Sequence, residues 1–209
     1  MPTTTILAEK LSKSFSGTPL FSDLSFKAAG GLVAVAGANG SGKTTFLKIL
    51  AGLLRPSAGR VRIEPEATPA QRRLTVGWAG PDLSLYGELT AEENLLFFRT
   101  AGGRDVALPE IRRRLAEVGL AEEAMRRRVE EYSTGMKQRL RIAFARLFDP
   151  TVLILDEPMI GLDPEGRETI ARAIAAARQT GVVILASNDE RDFVAPEQRI
   201  ELGLGRQRP

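Results

Sequence analysis

Leu32-Val33-Ala34-Val35-Ala36 runs without a break into Gly37-Ala38-Asn39-Gly40-Ser41-Gly42-Lys43-Thr44-Thr45. The first five residues are apolar and bounded by glycines, as in a fully buried strand. Phe46, Leu47, Ile49 and Leu50 then show helical spacing up to Gly52. Gly37, Gly42, Lys43 and Thr44 fit the pattern G-x-x-x-x-G-K-[ST]. Glycines at 37, 40 and 42 permit dihedrals and close approaches that a Cβ would block. The amide N–H groups of such a loop turn inward and bind phosphate oxygens, helped by the positive end of the following helix. Lys43 can reach the β- and γ-phosphates of a nucleotide, and Thr44 can offer its hydroxyl to Mg²⁺. Asn39, Ser41 and Thr45 complete the candidate nucleotide-binding set. The plain alternative is a glycine-rich turn that caps a helix. The bare pattern arises by chance in about one chain in a hundred of this size. Its place between a buried strand and a helix favours phosphate.

A second apolar run, Val152-Leu153-Ile154-Leu155, ends in Asp156-Glu157-Pro158. Such a strand sets two carboxylates at the carboxyl edge of a parallel sheet, where α/β folds bind ligands. Asp156 is the candidate Mg²⁺ residue, acting directly or through water. Glu157 is the candidate general base that orients or deprotonates a water. Two solvated acids opening a turn would look the same, and the phosphate loop decides against that reading.

Composition narrows the chemistry. The 209 residues contain no Cys and no His. Disulfides, thiolate sites, imidazole bases and His-ligated zinc are therefore excluded. Any chemistry falls to carboxylates, hydroxyls, Lys, Arg, backbone groups or a bound ion. A net charge of +3 is too mild to point to nucleic acid, and none is expected as a partner. Residues 1–10 lack the apolar core of a signal peptide, and no run approaches the length needed to span a bilayer. The expectation is a cytoplasmic protein that reaches a membrane through a partner, as a peripheral protein on its inner face.

Outside the two motifs, strands are expected at residues 5–9, 24–28, 60–63, 74–78 and 182–186. A turn-rich stretch covers 14–19. Helices are expected at 91–100, 108–118, 136–147 and 165–178. Thr90 reads as an N-cap, with Glu93 in capping-box spacing. The whole suggests an α/β core built from both ends of the chain around a helical insert. Residues 203–209 read as a loose tail.

Tyr132-Ser133-Thr134-Gly135-Met136-Lys137-Gln138-Arg139 resembles the L-S-G-G-Q signature of ATP-binding-cassette (ABC) ATPases. Asp156 to Pro164, read as D-E-P-M-I-G-L-D-P, resembles their Walker B and D-loop. Leu85-Tyr86-Gly87-Glu88-Leu89-Thr90 with Glu93-Asn94-Leu95 resembles the stretch after their Q-loop. The form is similar to the separately encoded ATPases of bacterial exporters, including haem-exporter-like ones. The resemblance implies an α/β P-loop NTPase (RecA-like) fold, with a mainly parallel sheet, N-terminal antiparallel strands and a helical subdomain. It implies one nucleotide-binding domain over 1–209, with its core in 1–88 and 148–209 and the helical part in 89–147. It implies ATP and Mg²⁺ as cofactors and a head-to-tail dimer with a second copy or a related ATPase subunit. Ser133 and Gly135 would then face the partner's γ-phosphate, and Phe15 would stack on adenine, unless it is simply a core residue. An integral-membrane permease is the implied second partner, seated near Trp78, Leu83, Tyr86 and the helical insert. For the arginine runs 112–114 and 126–128, a solvated face outweighs contact with lipid or permease.

The chain departs from that family pattern at three positions. Pro81 stands where the Q-loop Gln belongs and has no side-chain donor; Asp82 is the nearest polar substitute. Asn188 stands where the switch His belongs and can hydrogen-bond a γ-phosphate but carries no charge. Thr134 adds a Cβ where the signature has Gly. These changes bear on turnover more than on binding, and slow ATP hydrolysis is expected. Two alternatives stay open: a soluble ABC ATPase outside transport, and a regulatory ATP sensor that scarcely hydrolyses.

Overall fold

The computed structural model describes residues 4–65, 74–104 and 107–203. Most of the expected tail lies outside them. Two sheets form. Strands β1 (Thr5–Phe15), β2 (Thr18–Ala28) and β4 (Ala58–Glu64) make an antiparallel sheet in the order β2-β1-β4. Strands β3 (Gly31–Ala36), β5 (Val76–Ala79), β6 (Val152–Asp156), β7 (Val182–Ala186) and β8 (Gln198–Glu201) make a parallel sheet in the order β5-β6-β7-β3-β8.

Strands β3 and β7, and β6 up to Asp156, are apolar throughout because both their faces are covered. Alternate side chains enter different cores. Val33, Val35, Ile154 and Ile184 join the antiparallel sheet and helix α1 (Lys43–Leu50) in one cluster. Leu32, Ala34, Leu153, Leu155 and Leu185 pack on the other side. There they meet helices α2 (Ala91–Ala101), α3 (Leu108–Glu117), α4 (Glu122–Met125), α5 (Thr134–Ala145) and α6 (Pro164–Thr180). Gly77 in β5 admits the closest approach, since a Cβ there would sit 2.0 Å from the Ala145 carbonyl oxygen.

The β1–β2 strands extend further than the turn-rich composition of 14–19 suggests. The reversal needs only Ser16 and Gly17, both at positive φ (49° and 82°), the pair that matches strand twist in a two-residue hairpin. Strand β8 has no counterpart in the sequence reading. Its four residues are mostly exposed and polar, and it pairs on one side only.

The helix-start signal at Thr90 holds in detail, while the helix expected at 136–147 lies at Thr134–Ala145, started two residues earlier by the Ser133 cap. Thr90 and Glu93 form a reciprocal capping box (2.8 and 3.2 Å). Asn94, fully buried, exchanges hydrogen bonds with both backbone groups of Tyr86 at 2.9 Å and so fixes the loop before α2. The arginine runs are committed to acids. Arg112 pairs with Glu92, Arg113 with Glu110 and Glu117, Arg126 with Glu122, Arg127 with Glu131 and Arg128 with Glu130. Arg114 departs from the expected solvated face. It is buried, gripping Asp149 with two nitrogens and the Arg146 carbonyl with one of them.

Candidate functional site

The register β6-β7-β3 brings three chain segments to one edge. Asp156 lies opposite Ala186, and Ala186 opposite Val35. The loop after β3, the acids ending β6 and the residues after β7 therefore meet at the carboxyl ends of adjacent parallel strands.

Gly37 adopts φ 149°, Gly40 79° and Gly42 97°. At Gly37 the demand is steric as well as conformational. A Cβ would lie 2.4 Å from the Leu202 carbonyl oxygen and 2.6 Å from Ser41 Oγ. Gly42 caps α1 without a side-chain hydrogen bond, and no acid occupies that helix's first turn. The helix thus presents its positive end to an anion. Asn39 and Gly40 form an exposed rim, while Thr45 is half-buried on α1. Ser41 Oγ is buried with no partner, an unmet hydrogen-bonding group inside the cradle.

Lys43 is buried. Its ammonium donates to Gly37 O at 2.7 Å, to Ala38 O at 3.3 Å and to Asn188 Oδ1 at 2.8 Å. Asn188 in turn donates from Nδ2 to Glu157 Oε1 at 2.5 Å. Its carbonyl faces the cation and its amino group faces the carboxylate, so this amide bridges Lys43 to Glu157. Thr44 Oγ1 donates to Asp156 Oδ2 at 2.6 Å. Two hard oxygens on a buried acid and a hydroxyl fit a small divalent cation that completes its shell with phosphate oxygens and water.

Burial raises the pKa of Asp156; the Thr44 hydroxyl and the Lys43 charge pull the other way. Glu157 is raised as well, first by burial, against a lowering hydrogen bond from Ser187. That hydroxyl is shared. It sits 3.3 Å from Glu157 Oε2 and 2.6 Å from Asp192 Oδ2, and its single proton favours the shorter contact. Arg167 holds Asp192 from the far side at 2.5 Å. A base must be ionised to take a proton, so a raised pKa moves the loss of activity to higher pH. The acid limb of kcat/KM, which reports the free enzyme, is expected above 4.5, the ordinary glutamate value, when turnover is followed at limiting MgATP from pH 8 downward. Ser187→Ala is expected to leave that limb nearly unchanged, because the hydroxyl commits its proton to Asp192 rather than to Glu157. A limb at or below the ordinary value counts against the assignment.

The structure thus brings Lys43, Thr44, Asp156, Glu157 and Asn188 together. Ser133 and Gly135 stand apart, lining a cavity of about 590 Å³ with Gly161, Leu162 and Asp163. Ser133 caps α5 through Met136 N. Phe15 is not a core residue. Its ring is half exposed, with the Lys13 ammonium 4.9 Å from its centre. The hairpin that carries it reaches the phosphate loop through Leu20, which leaves no room for a Cβ on Gly42. Asp82 pairs with Lys48 of α1 at 2.9 Å. Gly80 to Leu83 form a tight turn closed by Leu83 N to Gly80 O at 3.0 Å, with Pro81 at the position proline prefers.

Sequence reasoning gave no role to Ser187, Asp192 and Arg167 behind Glu157. It also missed Phe97, which with Tyr86 forms an exposed aromatic pair, ring centres 5.3 Å apart. The repeated aromatics at 86, 97 and 98 were the available signal.

A family model described as ABC transporter matches residues 21–160. The Nod factor export ATP-binding protein I of Paraburkholderia xenovorans is 37% identical over 88% of this chain and 62% of its own length. The linearmycin resistance ATP-binding protein LnrL of Bacillus subtilis is 31% identical over 85% of this chain and 59% of its own. The chain thus spans about three-fifths of the length of these curated relatives. Among solved structures, a dimeric ATP-binding cassette bound to ADP and Pi superposes with TM-score 0.85 at 21% identity, over 96% of this chain and 97% of that one. The ATP-binding subunit of an ABC transporter gives 0.79 at 28% identity, over 94% and 85%.

Proposed function

This chain belongs to the ABC transporter family, and from that premise we propose that it is the ATP-driven subunit of an exporter. Mg-ATP binds in the 37–45 loop of one copy and is closed over by Ser133 and Gly135 of a second copy or a related subunit. Phe15 stacks on the base through its exposed face. The observation that carries the reading is the single hydrogen-bonded line from Lys43 through Asn188 to Glu157, beside the Thr44–Asp156 pair.

Thr44 and Asp156 would hold Mg²⁺. When bound, that ion neutralises charge developing on the β- and γ-phosphate oxygens. The other roles belong to protein groups. The loop amides and Lys43 bind and align the phosphates. Glu157 accepts a proton from the water whose oxygen attacks the γ-phosphorus, and ADP leaves with the electrons of the broken bond. Asn188 orients Glu157 and can donate to the γ-phosphate, but it takes no proton. Pro81 contributes no polar group at all. Both features support slow turnover, and they keep an ATP-sensing role as the second reading.

The export direction is supported by the names of the relatives. The permease surface is best matched by Tyr86 and Phe97, exposed beside the loop at 81–88. Residues 1–88 and 148–209 serve as the nucleotide core and 89–147 as the helical part that meets the permease. The complex lies on the inner face of the membrane; among the described residues no helix is long and apolar enough to cross it. Co-expression with a candidate multi-span membrane protein from a neighbouring reading frame is the direct test. Joint purification in detergent, with ATPase activity above that of the chain alone, is expected. Separate elution and unchanged activity would leave the two alternatives, a soluble ABC ATPase outside transport and an ATP sensor.

A further inference from the structure

Glu157 holds its carboxylate in place at a conformational cost. Its φ is 52°, a left-handed conformation that is disfavoured for a residue with a side chain. Such a backbone persists only where its surroundings fix it. Three hydrogen bonds do so. Glu157 N donates to Ala186 O at 2.9 Å, and Glu157 O accepts from Ile160 N and from Gln138 Nε2, both at 3.3 Å. The first comes from the neighbouring strand β7 and the second from the turn that Glu157 itself opens. The Gln138 bond comes from the helical part of the chain.

Gln138 is 2% exposed, so its amide must be satisfied within the protein. Its Oε1 accepts from Arg141 Nη1 at 3.4 Å. Arg141 lies three residues on, on the same face of α5. Its Nε donates to Leu83 O at 3.2 Å. Leu83 closes the tight turn that contains Pro81. A continuous polar line therefore runs from that turn, through two side chains of α5, to the peptide of Glu157. Its two ends are 74 residues apart in sequence, from Leu83 to Glu157, and Pro81 has no side-chain group with which to make the link itself.

We infer that Gln138 and Arg141 are positioning residues that tie the 80–83 turn to the backbone of Glu157. Movement of the turn against the core is carried by Arg141 to Gln138, and Gln138 holds or releases the left-handed peptide that aims the carboxylate. The inference rests on the reading of Glu157 as the base. It adds a specific route by which the segment nearest the exposed Tyr86 and Phe97 acts on turnover.

The test uses the full chain with Gln138→Met, Arg141→Met and the double variant. Steady-state ATPase activity, MgATP affinity by calorimetry and thermal melting are read for each. Misaiming a reacting group costs up to about a hundredfold. The expectation is a kcat loss of roughly tenfold to a hundredfold in each single variant, with MgATP affinity within about twofold. Because the residues act in series, the double variant should be no slower than Gln138→Met alone. Unchanged kcat in both singles overturns the inference. So do multiplicative losses in the double variant, or affinity falling in step with kcat. Should Gln138→Met fail to melt cooperatively, Gln138→Glu replaces it. That change keeps the acceptor for Arg141 and removes the donor to Glu157 O, and the same kcat loss is required. A Glu157→Gln variant run alongside separates the two readings. If it turns over normally, the base assignment has failed. If it is inactive while Gln138→Met is normal, only the positioning role has failed.

Discussion

Glu157→Gln is expected to lower kcat by about 10²- to 10⁴-fold, the range of a general base, and to leave MgATP affinity nearly unchanged. The chain has no His, so no imidazole can take over. Asp156 is the adjacent acid, and its Oδ2 is engaged by the Thr44 hydroxyl. The substitution is mild for the fold. An amide oxygen at 157 can still accept from Asn188 Nδ2, and the backbone contacts to Ala186 and Gln138 do not involve the side chain. Loss of turnover without loss of binding should also trap any ATP-bridged dimer, so sedimentation with MgATP should show doubled mass. Turnover within threefold of the parent would remove Glu157 from the mechanism and leave Asn188 orienting a bystander.

The parts of this site that were legible in the sequence are those whose chemistry is local. The phosphate loop is a backbone device, and the glycines that permit it are consecutive enough to read directly. Asp156 and Glu157 were legible because a fully apolar strand precedes them, and such strands are buried on both faces. The same logic exposed β3, β6 and β7. It failed for β8, where Gln198, Arg199 and Glu201 are exposed and the strand exists only because β3 offers its free edge. What sequence could not supply is the meeting of distant side chains. Asn188 reads as a weak substitute for a histidine, and only the β6-β7-β3 register reveals that its two ends suit a cation and a carboxylate. Gln138 and Arg141 look like the polar face of an ordinary helix, and Arg114 like one of three solvated arginines. Burial decides each case, and it is a property of the packed elements rather than of the residue type.

Lys43→Ala is expected to weaken MgATP binding by about a hundredfold, close to 3 kcal/mol at the upper end for hydrogen bonds to charged groups. Turnover should fall below detection. The ammonium is aimed before any ligand arrives, with Gly37 O, Ala38 O and Asn188 Oδ1 holding it inside the loop. All three are neutral acceptors, so a phosphate oxygen bearing negative charge competes well for the same protons. Lys43 also lowers the pKa of both Asp156 and Glu157 through its charge, opposing their burial. Its removal therefore weakens binding and, separately, makes both acids harder to ionise at a given pH. The two effects can be told apart. ATP affinity, which depends on the terminal phosphates, should fall more than AMP affinity, while the acid limb of any residual activity moves upward. Melting without nucleotide should change little, because the lost bonds are to acceptors at the open rim of the loop. Equal loss for AMP and ATP would mean that the lysine shapes the loop rather than gripping the phosphates, and the catalytic line drawn from it to Glu157 would lose its first member.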